Sequence, residues 1–304
     1  MAAIDLSMQQ LRPAPSQRFS YHAWRRFRKN KLALFGAGFL LTLILVSILA
    51  PVFAPYDPYI SIKNDTGGLD IYSAPNAKYL LGTDGLGRDV LSRIIFAGRI
   101  SLSVGLISIM ISTIVGVTLG SLAGYFGGWV DAVIMRVVDV VYCFPVMFLI
   151  ITVSTMLKPS IFNVMAIIGL VSWTGTARLV RGEILRVREN EYIQATRALG
   201  AFDHTIIFQH ILPNILAPIL VQATLQTAEA ILTEASLSFL GVGVQQPVPS
   251  WGNMLYEAMS IMVLRFRPWI WLPPGLMILL TVLSINFIGD GLRDALDPKL
   301  KGKA

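Results

Sequence analysis

The chain has 304 residues, of which 54% are hydrophobic and only 14% charged, with a mean hydropathy of +0.64 and a formal net charge of +7. A soluble domain carries about 25% charged residues, so this composition describes a polytopic membrane protein and excludes a soluble globular one. The bases cluster beside apolar spans, as membrane anchors do, and form no nucleic-acid footprint, while the single cysteine, Cys143, excludes an internal disulfide and any zinc or iron–sulfur spacing.

Residues 1–20 are polar, with Pro13 and Pro15, and predict a loosely held tail. Tyr21, Trp24 and Phe27 then interleave with Arg25, Arg26, Arg28, Lys29 and Lys31. Aromatics and bases together suit the headgroup region, which places residues 1–31 in the cytoplasm. Residues 32–56 carry no charge, are too long for a signal-peptide core, and read as a retained first transmembrane span.

Residues 57–99 form a polar external segment with turn signals at Pro58, Gly67, Gly68 and Pro75, ending in an amphipathic, interfacial helix. Residues 100–130 contain no charge and accommodate the second span. Gly116, Gly120, Gly124 and Gly128 recur every fourth residue there, which predicts a helix face open to close packing. The third span, 132–157, has Pro145 in its middle and Arg136 and Asp139 near its start, spaced to pair on one face. A short fourth span, 160–179, ends in Trp173, Thr174, Gly175 and Arg178.

The longest polar interlude of the second half follows, at 188–214. Asn190 is a candidate N-cap, Glu191 puts a negative charge in the first turn, and Gly200 stands where a helix ends in a left-handed residue. A helix of about two and a half turns is predicted over 191–199. Tyr192, Ala195, Thr196 and Leu199 share one face of it; Glu191, Gln194 and Arg197 lie elsewhere on the circumference. A second short helix can start at Asp203, and Pro213 marks a kink or boundary before the fifth span.

That span carries Glu229 and Glu234. Counted from Asn214, Glu229 lies roughly 22 Å in, inside the hydrocarbon core, where a carboxylate marks either a translocation pathway or a structural hydrogen bond. The stretch after Glu234 is broken by glycines and prolines through Trp251 and predicts an external or re-entrant loop. The sixth span, 268–289, opens with Trp269 and Trp271 as interfacial anchors. With six spans and both termini inside, sixteen Lys and Arg fall on the cytoplasmic side against eight outside.

The chain has no Gly-x-x-x-x-Gly-Lys-Ser/Thr phosphate cradle and no His-Glu-x-x-His. Its three histidines, His22, His204 and His210, have no metal-ligand spacing and read as loop histidines. A secondary transporter driven by an ion gradient is the alternative that needs no motor, but no convincing inverted repeat is visible. A channel would need a filter or charge ring that is also missing.

The 188–214 segment resembles the cytoplasmic coupling loop of the membrane subunits of binding-protein-dependent ABC importers. Their loose motif is Glu-Ala-Ala, three residues, Gly, then nine residues to Ile-x-Leu-Pro. Ala195, Gly200, Leu212 and Pro213 match in register, whereas Gln194, Thr196 and His210 depart from it. The peptide and nickel branch has a tighter version, Glu-Tyr-Ile-x-Ala-Ala-Arg-Ala-x-Gly-Ala, closing on His-Ile-Leu-Pro-Asn. Residues 191–201 and 210–214 follow it with Thr196 the one visible departure. Three further stretches resemble the same branch: Gly82-Thr83-Asp84 through Gly87-Arg88-Asp89; Leu237-Ser238-Phe239-Leu240-Gly241-Val242-Gly243 with Pro249-Ser250-Trp251-Gly252; and the ending 289–298.

The resemblance implies an all-α membrane protein of the type I ABC importer permease fold, with a permease core over 100–292, a cytoplasmic coupling loop over 180–213 and a cytoplasmic tail over 293–304. It implies a permease subunit forming half of a pathway for di- or oligopeptides, or for nickel. The partners it implies are a second homologous permease, two ATP-binding cassette ATPase subunits and an extracytoplasmic substrate-binding protein, all in or on a prokaryotic cell membrane. This chain would bind no cofactor, ATP and Mg being held by the ATPases. Glu191, Tyr192, Gln194, Ala195, Thr196, Arg197, Ala198, Leu199 and Gly200 would meet one ATPase, whose closure would swing spans three to five as a unit. Glu229 and Glu234 are the candidates for the pathway.

Overall fold

The computed structural model describes residues 24–63, 67–158 and 160–296; the expectations for residues 1–23 and for 297–304 lie outside it. Among the described residues the regular structure is helical, with two isolated bridges, Lys63 to Leu69 and Thr83 to Asp89. The helices are α1 (Lys31–Ile48), α2 (Ala50–Phe53), α3 (Val90–Phe126), α4 (Gly128–Tyr142), α5 (Val146–Met156), α6 (Ile161–Arg188), α7 (Glu191–Ala198), α8 (Asp203–Phe239), α9 (Trp251–Leu255), α10 (Ile261–Phe266) and α11 (Pro268–Leu296). Five of them, α1, α3, α6, α8 and α11, are individually long and apolar enough to cross a membrane.

The centre is the pair α3 and α6, across which α8 packs; α11 lies on α8, and α1 on α11. The glycine stripe explains the tightness of the central pair. A Cβ on Gly116 would stand 2.6 Å from Thr176 Cβ, one on Gly120 2.6 Å from the Ala177 carbonyl, and one on Gly124 2.9 Å from Ile184 Cβ. Gly169 repeats the arrangement from the α6 side, against Ser108 and Ile111. The fourth glycine of the stripe does something else: Gly128 has φ +54° and, with Gly127 at φ +65°, turns the chain out of α3 into α4.

Several boundaries differ from the sequence reading. The expected interfacial helix before residue 100 and the second span are one continuous 37-residue helix, α3, with Asp89 as N-cap to the Ser92 N–H at 2.7 Å. The third span is broken: α4 and α5 meet at 87° around Cys143, Phe144 and Pro145, because Pro145 supplies no N–H and its ring disfavours a helical residue before it. The helix of span four does not end near residue 179: α6 continues to Arg188. Pro213 marks a change of helix type and not an end: α8 starts at Asp203, passes through a π-helical turn over Ile206–Ile211, and is α-helical from Leu212, with Pro213 in the first turn, to Phe239. The π turn carries His210, which is therefore helical, and sets Ile206 and Ile211, five apart, among the buried residues. Trp251, finally, opens α9, where Ser250 and Asn253 close a capping box.

The end of the bundle opposite the 188–214 segment is tied by charge. Asp84 and Arg88 are 3% exposed and Arg93 is 1% exposed. Arg88 Nε donates to Asp84 Oδ2 at 2.8 Å, Arg93 Nε stands 3.4 Å from the same oxygen, and Arg88 also donates to Gln246 Oε1 at 2.8 Å. Arg93 donates to the Pro58 carbonyl at 3.0 Å, and the Gly85 N–H to Glu257 Oε2 at 3.0 Å. Every member is paired, as buried ions must be. The Gly-Thr-Asp to Gly-Arg-Asp stretch is thus a knot joining residues 54–89, α3 and the 240–260 segment.

Candidate coupling and translocation sites

One side chain of α7 is buried against the body. Ile193 is 2% exposed and joins a cluster with Tyr125 of α3, Val180, Ile184 and Val187 of α6, and Ile206, Ile207, Ile211 and Ile215 of α8. Burying it contributes about 2 kcal/mol. Glu191, Tyr192, Gln194, Ala195, Arg197 and Ala198 are exposed, Thr196 is half-buried, and Leu199, just past the helix, is 88% exposed. The predicted face of Tyr192, Ala195, Thr196 and Leu199 therefore looks mostly outward, and the inward residue lies between its members.

Both ends of α7 are fixed locally. At the start Asn190 has the extended N-cap backbone but its side chain makes no capping bond; the Gln194 side chain instead donates to the Arg188 carbonyl at 3.3 Å. At the other end the Gly200 N–H donates to the Arg197 carbonyl at 3.0 Å and the Ala201 N–H to the Thr196 carbonyl at 3.3 Å. With Gly200 at φ +82° these two bonds form a Schellman motif. Asn214 Nδ2 reaches the Tyr192 hydroxyl at 3.2 Å, tying α7 to α8.

Around α7 no local pattern announces three contacts that converge on the last turn of α3. Tyr125 Oη donates to Asp203 Oδ1 at 2.5 Å, the Arg197 guanidinium lies 5.1 Å from the Tyr125 ring centroid, and Arg188 donates to the Gly124 carbonyl at 2.9 Å. They join residues up to 78 positions apart in sequence, a relation that no local pattern carries.

The two glutamates of α8 separate. Glu234 is 0% exposed and accepts from Ser238 Oγ at 2.7 Å and Ser101 Oγ at 3.1 Å; the Trp251 N–H in turn donates to Ser101 Oγ at 3.2 Å. It sits in a network joining α3, α8 and α9. Glu229 is exposed, and among the described residues its side chain has no hydrogen bond or ion pair. It lies on a bare stripe of α8 with Leu225, Leu232 and Ser236.

Arg136 and Asp139 do not pair. Asp139 accepts from Arg178 of α6 at 2.9 Å, with the two side chains 58% and 53% exposed, and Asp131 pairs with Arg181 of α6. These two ion pairs, with Val138 buried against Trp173 and Ala177, hold α4 against α6. The Arg178 guanidinium also lies 4.6 Å from the Tyr142 ring centroid.

A helical bundle with five helices long and apolar enough to cross a membrane defines the class: a polytopic membrane protein. Residues 116–302 match the family described as binding-protein-dependent transport system inner membrane component, and residues 19–75 the N-terminal TM domain of oligopeptide transport permease C. The chain is 43% identical over 279 residues to the dipeptide transport system permease protein of Alkalihalophilus pseudofirmus, covering 92% of this chain and 90% of that one. It is 44% identical over 278 residues to the glutathione transport system permease protein of Pectobacterium atrosepticum, covering 91% and 90%. Among solved structures it shares its fold with a chain of the MetNI methionine ABC transporter in an inward-facing conformation, with a TM-score of 0.56 at 17% identity over 67% of this chain and 96% of that one.

The chain belongs to the family of binding-protein-dependent transport system inner membrane components. It is a multi-pass permease subunit of the bacterial inner membrane with the type I ABC importer permease fold, and the alternative of an ion-gradient-driven secondary transporter is set aside.

Proposed function

We propose that this chain is half of the translocation unit of an ATP-driven importer of di- or oligopeptides. The observation that carries the reading is α7: a helix with Ile193 as its one buried residue, closed by a Schellman turn, presents nearly all its remaining surface outward. Such a helix is built to be gripped by another protein. The relatives named for dipeptide and glutathione transport support a peptide substrate over nickel.

The partners in this reading are a homologous second permease, two ATPase subunits in the cytoplasm and an extracytoplasmic binding protein. Both termini and α7 lie on the cytoplasmic side. ATP and Mg are held by the ATPases, and this chain makes or breaks no bond. Glu191 to Gly200 seat in a cleft of one ATPase, and ATP favours the closed motor, so binding shifts the population between inward- and outward-open states. The moving body is best supported as spans two, four and five, since the glycine stripe joins α3 to α6 and α8 packs across both. The broken third span meets α6 through two ion pairs and through Val138, packed on Trp173 and Ala177, and Ile150, packed on Val164 and Ile168, without a glycine seam.

Glu229 faces the pathway in this reading. Lipid is a costly neighbour for a carboxylate, so the bare stripe of α8 turns to water or to the second permease. A carboxylate there attracts the ammonium end of a peptide.

The test is purification of the tagged chain from native membranes in mild detergent, with mass spectrometry of its companions, then reconstitution with the binding protein and uptake of radiolabelled dialanine and glutathione. An ATPase and a second permease co-purify, and ATP drives uptake. A chain that purifies alone and moves solute on an ion gradient overturns the reading.

A further inference from the structure

We propose that Tyr125, at the end of α3, is the joint that carries movement of α7 into the second span, a positioning residue for transport and not only a packing one. The inference rests on the coupling role given above to α7.

Tyr125 is 4% exposed, and its ring lies within the cluster of Val180, Ile184, Val187, Ile193, Ile206, Ile207 and Ile211. Packing alone would be served by phenylalanine. A phenol in this position needs a partner for its hydroxyl, and it has one in Asp203, the first residue of α8. The face of the same ring receives Arg197 of α7 at 5.1 Å. The backbone of the same turn is held by Arg188, the last residue of α6, at 2.9 Å from the Gly124 oxygen and 3.4 Å from the Tyr125 oxygen.

The whole coupling segment thus converges on one residue. The stalk before α7, α7 itself and the helix after it each donate or accept one polar contact to the last turn of α3, and all three contacts have charged partners, which makes them the stronger kind. A displacement of α7 that left α3 behind would have to break the Arg197 contact and strain the Asp203 bond together. Phe126, next in sequence and edge-on to Tyr125 at 5.2 Å, is 52% exposed and shares none of this. The position is therefore specific to Tyr125.

The experiment uses the complete complex, with co-purified partners, in proteoliposomes supplied with binding protein and radiolabelled dialanine or glutathione. Tyr125→Phe removes only the hydroxyl, Asp203→Ala leaves the hydroxyl without its partner, and Phe126→Leu is the control. Complex yield, ATP hydrolysis and solute moved per ATP are measured. Tyr125→Phe and Asp203→Ala are expected to assemble and hydrolyse ATP within about twofold of the unaltered complex while solute per ATP falls at least about fivefold; Phe126→Leu changes neither. A variant that fails to assemble is set aside and the other decides. Unaltered solute per ATP in the assembled variants, or a loss of uptake that only tracks a loss of complex, overturns the proposal. Absence of ATP-driven uptake by the unaltered complex overturns instead the importer reading on which it rests.

Discussion

Replacing Gly200 tests whether α7 must be a fixed shape. A Cβ at this position would meet nothing within 4 Å, so any effect of Gly200→Ala comes from the backbone alone. At φ +82° an L-residue costs about 1 kcal/mol more than glycine. Gly200→Pro is worse on two counts: proline is locked near φ −65°, and it removes the N–H that donates to the Arg197 carbonyl at 3.0 Å, a further loss of about 1 kcal/mol. The φ mismatch also displaces the Ala201 N–H from the Thr196 carbonyl, for a total on the order of 3 kcal/mol or more. Against this, the burial of Ile193 contributes about 2 kcal/mol, beside the contacts of Tyr192 with Asn214 and of Arg197 with Tyr125. Proline should therefore unfold the last turn of α7, whereas alanine should leave it formed. Hydrogen exchange over residues 189–205 is expected to rise strongly in Gly200→Pro and little in Gly200→Ala. ATP-driven uptake should be lost in the first and largely kept in the second, with insertion into the membrane unchanged in both. Normal uptake by Gly200→Pro would refute the role given to this helix.

Four further outcomes are expected. Gly120→Leu places atoms where the Ala177 carbonyl and Val180 already stand, and should destabilise the subunit by about 1–3 kcal/mol, read as a lower melting temperature in detergent. Glu234→Leu leaves the Ser101 and Ser238 hydroxyls without their acceptor and should cost about 1–3 kcal/mol, with Glu234→Gln the milder change by the same measurement. Glu229→Gln should leave assembly and ATP hydrolysis intact while lowering peptide uptake several-fold; unchanged uptake removes Glu229 from the pathway. Burial raises the Glu257 carboxyl above the usual carboxylate range and the charge of Asp84 adds to this, against the pull of the Gly85 N–H and of Arg88 and Arg93. A carboxyl raised on folding favours the folded state below its unfolded value of 4.5, and this contribution is lost as pH rises through the folded value. Glu257→Gln should flatten the melting temperature against pH in that window.

What the sequence made legible was local. The ends of α7 could be placed within a residue because Gly200 and Glu191 act on their own turns, and the spacing of Gly116, Gly120 and Gly124 announced a helix face that does pack closely. What it hid was through-space. Arg136 and Asp139 had the spacing of a pair, yet Asp139 found Arg178 on another helix, because the two helices lie side by side and Arg178 reaches across. Glu229 and Glu234 looked alike, five residues apart on one apolar helix. Their difference is set by Ser101 and Ser238, which turn toward one and not the other. Tyr125 sat at the end of an apolar span and carried no signal at all. Its role depends on Arg188, Arg197 and Asp203 arriving from three separate elements.

The same contacts decide which helices can move together. Sliding α3 along α6 would drive the backbone at Gly116, Gly120 and Gly124 past side chains already in contact with it, so the close-packed pair resists shear along its length. The broken third span has no glycine seam: it meets α6 through two ion pairs and through one fully buried side chain from each half, Val138 and Ile150. Exposed ion pairs contribute about 0–1 kcal/mol each, and the pair of Asp139 with Arg178 is more than half exposed on both sides. A push delivered at α7 should therefore carry α6, α8 and, through Tyr125, α3 as one body, while α4 and α5 reorient at the bend before Pro145. Spin labels placed on α3 and α6 should keep their separation when ATP binds the assembled complex, and labels on α5 and α6 should change theirs. A constant distance in both pairs would mean that the bend at Pro145 is rigid and that the third span travels with the rest.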